Sequence, residues 1–332
     1  MPRISKDEAA RQDAPKRAPC APSIARVTLK AMPDHAVSIL LEERSVLAVA
    51  GEDRLTFLQG LLTNDVTRLS PARALYAALL TPQGKIQFDF FVAQEGLTIL
   101  FDAVRGEADA LLKRLSLYKL RAKVTLSDRT QAYAVIALVG ADAAKHLKLA
   151  DSPGAAGRFG DAIAFVDPRH AGLGARLIVP RESAEATIAA LALPRAELLA
   201  YDERRMQLGI AEGLELTRDG LYALEANFEE LNGVDFKKGC YVGQELTARM
   251  KHKTELRKRV LPVLAEHNLP EPGAGAAILA GGETVGTLIG AAHGKGVALV
   301  RLDRLATAQA RGERLTAGEV PLKIERPAWL SG

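Results

Sequence analysis

The chain is poor in cysteine, with only Cys20 and Cys240 in 332 residues. Two thiols exclude a disulfide framework and a self-contained four-cysteine zinc or iron–sulfur cage. They also suggest a reducing compartment, the cytoplasm or, in a eukaryote, the mitochondrial matrix. No apolar run approaches the roughly 20 residues of a membrane span, and the N-terminus lacks the apolar block of a secretory signal. Membrane contact is therefore not expected. The six histidines are scattered. There is no His-Glu-x-x-His, no Gly-x-Ser-x-Gly elbow and no Cys-x-x-Cys, and no glycine fingerprint joins a strand to a helix. These absences argue against a zinc protease, a serine hydrolase, a dithiol oxidoreductase and a dinucleotide-binding fold. Excess charge is also scarce: 44 Lys and Arg face 40 Asp and Glu. Residues 1–34 hold seven of those bases and four of the acids, so the excess mostly describes a tail. Bulk charge is thus a weak argument for nucleic-acid binding.

What remains is an ordinary globular composition, 48% hydrophobic and 25% charged, long enough for two or three domains. Residues 1–34 are rich in Ala, Pro, Lys and Arg without sustained period and read as a disordered basic extension. Strands are expected at 45–50, 74–80, 86–92, 97–101, 123–126, 133–139, 162–167 and 175–179. Helices are expected from Glu52 to Leu62 and at 107–115, 142–147, 182–191 and 197–208. The alternation over 74–193 suggests one sheet covered on one face. After Lys258 the pattern changes to short strands punctuated by Pro and Gly, which predicts a small C-terminal β-barrel.

Candidate site residues follow from local chemistry. Cys240 lies in Lys237-Lys238-Gly239-Cys240-Tyr241-Val242-Gly243-Gln244-Glu245, between a basic pair and a stretch of helix formers. Positive potential there favours a thiolate, and the flanking glycines suggest a tight backbone that something approaches closely; a small inert cysteine in a turn fits equally well. Asn64 can cap the preceding helix in the left-handed conformation, and Asp65 can accept from a ligand or simply form an Asx turn. Asp89 stands among Phe88, Phe90 and Phe91, either facing solvent or tuned for chemistry. Tyr201 and Arg205 share a helix face and can stack on and bond a flat ring, or serve a salt-bridging surface helix. The irregular run 210–240 contains Glu225 and Asn227 and is long enough to suggest function. A basic cluster, Arg249, Lys251, His252, Lys253, Arg257, Lys258 and Arg259, can meet phosphates or an anionic ligand tail, or be a solvated surface.

Several of these stretches together resemble the YgfZ-type folate-binding proteins. They are residues 51–66, the Thr81-Pro82-Gln83-Gly84-Lys85 loop, Asp89, Tyr118-Lys119-Leu120-Arg121, Arg205 with Gly209-Ile210, Ala226-Asn227-Phe228, and the signature Lys238–Glu245. That family is related to the aminomethyltransferase (T-protein) of glycine cleavage. The resemblance implies an α+β fold, a three-domain aminomethyltransferase-like ring around a central folate pocket with a C-terminal small β-barrel. The implied boundaries are the extension 1–34, an aminomethyltransferase-like folate-binding region 35–255 of two interleaved α+β domains, and a barrel 256–332. It implies tetrahydrofolate or a one-carbon derivative as cofactor, and a role in assembling or maintaining iron–sulfur proteins, with effects on tRNA-modifying enzymes. Cys240 should face the pocket. Asp65, Asp89 or Glu225 would accept from the pterin, Tyr201 would stack, and Arg205 or the basic cluster would meet the tail. Asn64, Asn227, Lys238, Tyr241, Gln244 and Glu245 belong to the matching motifs. A monomer is expected, partnering iron–sulfur proteins or their assembly machinery, with no resident metal. Two other functions stay open: a folate-dependent aminomethyl or one-carbon transferase, and a tRNA-binding module. The transferases carry an acidic pair on the strand after the hairpin loop; here Phe88 takes one of the two places, which argues against ordinary glycine cleavage.

Overall fold

The computed structural model describes residues 35–330 apart from 219, 254–255 and 273–275, so the expected extension at 1–34 lies outside the described residues. In chain order the first elements are β1 (Val37–Leu40), β2 (Arg44–Ala50), α1 (Arg54–Gln59), β3 (Leu75–Leu80), β4 (Ile86–Glu95), β5 (Thr98–Val104), α2 (Ala108–Lys119) and β6 (Thr125–Asp128). Then follow β7 (Tyr133–Val139), α3 (Ala143–His146), β8 (Ala156–Phe159), β9 (Ala162–Val166), β10 (Ala175–Pro180), α4 (Ala184–Leu191), α5 (Leu198–Gln207), α6 (Leu214–Thr217) and α7 (Gln244–Lys253). The chain ends with β11 (Lys258–Ala265), β12 (Ala277–Ala280), β13 (Glu283–Ala292), β14 (Lys295–Arg301), α8 (Leu302–Ala310), β15 (Leu315–Ala317) and β16 (Val320–Ile324).

The single covered sheet expected over 74–193 is in fact two. One five-stranded sheet runs β3-β4-β5-β2-β6 and the other β1-β7-β10-β9-β8. Both draw strands from before residue 74, which a local reading of 74–193 does not include: β1 pairs with β7, and β2 pairs with β5 and β6. Period two decides which side chains go where. In the first sheet Leu47, Leu75, Ala77, Phe88, Phe90 and Phe101 pack outward under α1 and α2 with Leu58, Leu111 and Leu115. In the second, Ile136, Leu138, Ala164 and Leu177 pack outward under α3 and α4 with Ala143, Ile188 and Leu191. The alternate residues, including Val46, Tyr76, Phe91, Val135, Phe165 and Ile178, share one core with Tyr201 and Met206 of α5 and with Phe228 of the irregular run. Because β2, β3, β4, β7 and β10 are apolar on both faces, they read as continuous hydrophobic runs and were visible as strands.

The same register sends Arg44, Asp89, Asp102 and Arg176 to the inner side, where all four are buried. Burying charge requires partners, and they are there. Arg44 bonds Asp102 at 2.5 Å and Glu212 at 3.0 Å, Arg176 bonds Asp102 at 2.8 Å, and Arg169 bonds Asp167 at 2.8 Å and Glu212 at 2.6 Å. The Arg176 guanidinium lies 3.9 Å from the Phe91 ring centroid. Burial opposes the charge of Glu212, and the guanidinium groups of Arg169, Arg44, Arg176 and Arg205 outweigh it, holding its carboxyl well below the usual range.

The last strands close into a barrel, β11-β14-β13-β12-β15-β16, around Val263, Ile278, Leu288, Ala298 and Val300. It docks through α5 and the irregular run: Glu203 bonds His293 and Lys295, each at 2.9 Å, and the Val260 N–H donates to the Glu225 carbonyl at 2.8 Å. Among the described residues no helix is long and apolar enough to cross a membrane.

Candidate functional site

A cavity of about 370 Å³ opens along β3. Its polar lining includes Asn64, Arg68, Arg73, Glu229, Asn232 and Asp235. Five segments meet there: the turn after α1, the start of β3, Ser152-Pro153, Pro168, and the irregular run ahead of Cys240. Asn64 joins the first, second and last. Its amide donates to the Tyr76 carbonyl at 2.8 Å and the Asn232 carbonyl at 2.7 Å, and its oxygen accepts from the Asp65 N–H at 2.8 Å. The helix ends at Gln59, and Asn64 does not take the left-handed conformation expected of it. The carboxamide is spent on three backbone groups, so its work is to clip the segments together.

Asp65 behaves as the Asx turn. It accepts from Thr67 N–H at 3.1 Å, Thr67 Oγ1 at 2.6 Å and Gln59 at 2.9 Å. Burial pushes its carboxyl up, and the Thr67 and Gln59 bonds together with the Lys238 charge outweigh that, leaving it lowered.

Lys238 is the anchor of the cysteine stretch. Its ammonium donates to the carbonyls of Gln59 at 2.9 Å, Leu62 at 2.5 Å and Asn64 at 2.9 Å, so it caps the turn after α1. It also lies 5.0 Å from the Tyr241 ring centroid. Burial lowers its pKa from 10.5 to about 8, against the pull of Asp65 and Asp235. Tyr241 is buried, which pushes its phenol up to about 12, and its N–H is taken by the Gln244 side chain at 3.2 Å, where α7 begins. Glu245 is exposed in the first turn of α7. Cys240 is free and exposed, three residues ahead of the last one before that helix. Of its two flanking glycines only Gly243 meets a close approach: φ is +80°, and a Cβ there would lie 2.4 Å from the Thr81 carbonyl. At Gly239 a Cβ would meet nothing within 4 Å.

The other expected residues lie elsewhere. Asp89 is buried on the inner side of β4, accepting from Tyr76 OH at 3.0 Å and Gly213 N–H at 2.9 Å; burial raises its carboxyl, and Glu212 adds to that. The hydroxyl of Tyr201 belongs to the buried network, bonded to Arg169 at 2.9 Å, to Glu212 at 2.5 Å and to Arg176. Arg205 is buried and paired with Glu215 at 2.5 Å and Asp202 at 2.9 Å. Glu225 accepts from Tyr222 N–H at 3.2 Å, and Asn227, with φ +60°, donates to the Val260 carbonyl at 2.8 Å. Of the expected site residues Asn64 alone lines the cavity; Asp65, Asp89, Tyr201, Arg205, Glu225, Asn227, Lys238, Tyr241, Gln244 and Glu245 do not, and Cys240, expected to face the pocket, lies five residues beyond its last lining residue, Asp235. The basic cluster is partly neutralised, since Lys251 pairs with Glu229 and Arg259 with Glu230, each at 2.5 Å.

Arg68, Arg73, Asn232 and Asp235 line the cavity without having been marked in the sequence. Nothing local distinguishes them, since each is a polar residue outside the strands and α-helices. The network residues did leave a signal. Asp102 follows Leu100-Phe101 in a strand and Arg176 sits between Ala175 and Leu177, both at inward register.

The fold defines an aminomethyltransferase-type protein with an appended barrel. A GCVT N-terminal domain model matches residues 36–163, and a CAF17 C-terminal beta-barrel domain model matches 257–332. The crystal structure of glycine cleavage system aminomethyltransferase T from Bartonella henselae superposes with a TM-score of 0.70 over 90% of this chain and 87% of that one, at 16% identity, a likeness of fold alone. Iron-sulfur cluster assembly factor IBA57, mitochondrial, of Homo sapiens is 35% identical over 283 residues, 80% of this chain and 77% of the human one. The Mus musculus protein of that name is 34% identical over the same shares, and a Neurospora crassa homolog is 34% identical over 71% of this chain and 56% of its own length. The chain thus spans little more than half of the fungal relatives. The chain belongs to the IBA57 family. This family, rather than the YgfZ-type proteins of the sequence resemblance, is the one that the relatives define.

Proposed function

We propose that this protein serves the assembly or maintenance of iron–sulfur proteins, binds a reduced folate in the cavity along β3, and uses Cys240 as its reactive thiol. The observation that carries the reading is the position of Cys240. It is exposed on the stretch whose preceding residues, Val234 and Asp235, line the cavity and whose Lys238 is bolted to the turn that supplies Asn64. The relatives named iron–sulfur cluster assembly factors support the biological role. They are also named mitochondrial, which agrees with the reducing compartment that the low cysteine content suggests.

The cavity chemistry suits a folate. Its volume of about 370 Å³ is that of a small-molecule site. Arg68 and Asp235 pair with each other at 3.1 Å on its wall, a polar edge that a donor-rich pterin can meet, and the exposed Arg73 suits an anionic tail. The thiol suits exchange with an iron–sulfur cluster as cargo. A cluster takes about four thiolates, and the chain has two cysteines in all, so a partner must supply the rest. Aminomethyl transfer has less support, because Asp89 is buried and committed to Tyr76 and Gly213.

Two measurements test the reading together. Tetrahydrofolate should raise the melting temperature of wild type and Cys240→Ser alike, by about 2–3 kcal/mol of linkage at 100-fold excess over Kd. Cys240→Ser should abolish support of iron–sulfur enzymes in cells depleted of the endogenous protein. No shift at millimolar folate removes the ligand, and a functional Cys240→Ser removes the thiol.

A further inference from the structure

The turn after α2 holds a leucine where the backbone favours glycine and where leucine buries almost nothing. The Ala122 N–H donates to the Lys119 carbonyl at 2.7 Å, and Leu120, the second residue of that turn, has φ +42° and ψ −111°. This is the mirror-type turn that glycine enters freely and a leucine enters at a cost. Yet Leu120 is 88% exposed, and Leu117, in the last turn of α2, is 68% exposed. A single exposed leucine is ordinary. Two together, one of them in a strained turn, are not explained by packing among the described residues.

Hydrogen bonds at both ends of α1 connect this turn to the cysteine stretch. At the start of the helix Asp53 accepts from the Lys123 N–H at 2.7 Å, and Glu52 pairs with Lys123 Nζ at 2.9 Å. Just past its end the Gly60 carbonyl accepts from the Val242 N–H at 3.3 Å. The six-residue helix α1, with Leu55 39% exposed, thus lies between the segment that follows the Leu120 turn and the stretch that carries the exposed Cys240. The collar is basic: Lys113, Arg114, Lys119 and Arg121 occur with no acidic residue between 110 and 124, while Lys123 is paired with Glu52.

We infer that Leu55, Leu117 and Leu120, with this basic collar, form the docking face for the protein that meets Cys240, an inference that rests on the cluster-exchange role proposed for that thiol. The partner's surface is an apolar cleft for the leucines with carboxylates around it, and the partner brings thiolates of its own. A thiolate-held cluster is anionic, so the same collar favours its approach and steers the encounter. The apolar prongs supply the buried contact at the centre, and the bases act at the rim.

The test uses the full chain in cells lacking the endogenous copy, read by the activity of a [4Fe–4S] enzyme. Leu117→Asp/Leu120→Asp should lower that activity at least about fivefold at native expression, and overexpression should restore it, because a weakened contact yields to mass action. Cys240→Ser should stay inactive at every level. Leu120→Gly relieves the backbone and removes one prong, so it should melt no lower than wild type while losing activity in the same recoverable way. Full activity of both leucine variants beside an inactive Cys240→Ser overturns the docking face alone; an active Cys240→Ser overturns the thiol reading beneath it. Sedimentation with phosphatidylcholine vesicles holding about one fifth phosphatidylglycerol checks the collar against a lipid surface. Leucine-dependent binding there would replace the protein partner with a membrane.

Discussion

The ammonium of Lys238 donates to the Asn64 carbonyl at 2.9 Å, and through that bond the cysteine stretch and the cavity wall become one unit. The carbonyls of Gln59 and Leu62 share the same donor. Lys238→Met keeps the apolar stem but leaves three oxygens without their charged partner. It should cost about 2–3 kcal/mol, since bonds to a charged group are worth about 1.5–3 each and are not additive. Thermal denaturation would register this as a lower Tm. Limited proteolysis should also cut near Cys240 earlier than in wild type. An unchanged melting curve would mean that water replaces the lysine without loss.

The two glycines around Cys240 should differ in their response to alanine. Gly243→Ala meets both a positive φ and the Thr81 carbonyl at 2.4 Å, so the hairpin loop must move away. Strain of this kind costs about 1–3 kcal/mol before the clash is counted. Gly239→Ala meets nothing and should stay within about 0.5 kcal/mol of wild type. Comparing the two by chemical denaturation separates a packed glycine from one that is merely present.

Asp89 should make stability depend on pH in a direction that can be worked out. Burial raises its carboxyl above the ordinary 3.8, with Glu212 adding to the effect. Between that value and the raised one, the folded chain holds a proton that the unfolded chain has released. Stability contributed by this group therefore falls as pH rises through the window, and its burial weighs most above it. Asp89→Asn removes the titration while keeping an acceptor for the Gly213 N–H. The variant's Tm should fall less than that of wild type between about pH 4 and pH 7.5. A parallel pair of curves would show that Asp89 is not the group responsible.

Much of this architecture was legible because it rests on local pattern. The strand from Tyr133 to Val139 is apolar on both faces and stands out on that ground, and the short strands after Lys258 announced a barrel through their spacing. The division into two sheets was not legible, because it depends on β1 and β2 returning to pair with strands far along the chain. The site divides in the same way. Cys240 could be picked out by its neighbours in sequence. Arg68, Arg73, Asn232 and Asp235 meet only when three separate segments fold together. Tyr201 and Arg205 do share a helix face as expected, and both are buried there, with Arg205 committed to Glu215 and Tyr201 to Glu212. Helical periodicity gave their side, and the acids opposite them are Glu212 and, from α6, Glu215, both beyond the helix in the chain.

Burial decides which arginine should receive an anionic ligand tail. Arg205 is buried between Glu215 and Asp202. Arg205→Met leaves two acids without their partner, and breaking a buried pair in this way costs about 3–5 kcal/mol. The double variant Arg205→Met/Glu215→Leu should recover part of it. In either variant the shift caused by tetrahydrofolate should survive at temperatures where the protein is folded. Arg73 is exposed at the cavity, so Arg73→Ala should leave the unliganded Tm within about 0.5 kcal/mol of wild type. It should weaken tetrahydrofolate about tenfold, the loss of one charge-assisted contact of about 1.4 kcal/mol. A triglutamate form, with more carboxylates to lose, should suffer more. Differential scanning fluorimetry with both ligands reads all of these. If Arg205→Met kept its stability and lost the ligand shift while Arg73→Ala changed neither, the tail would belong at Arg205, and the cavity along β3 would not be the folate site.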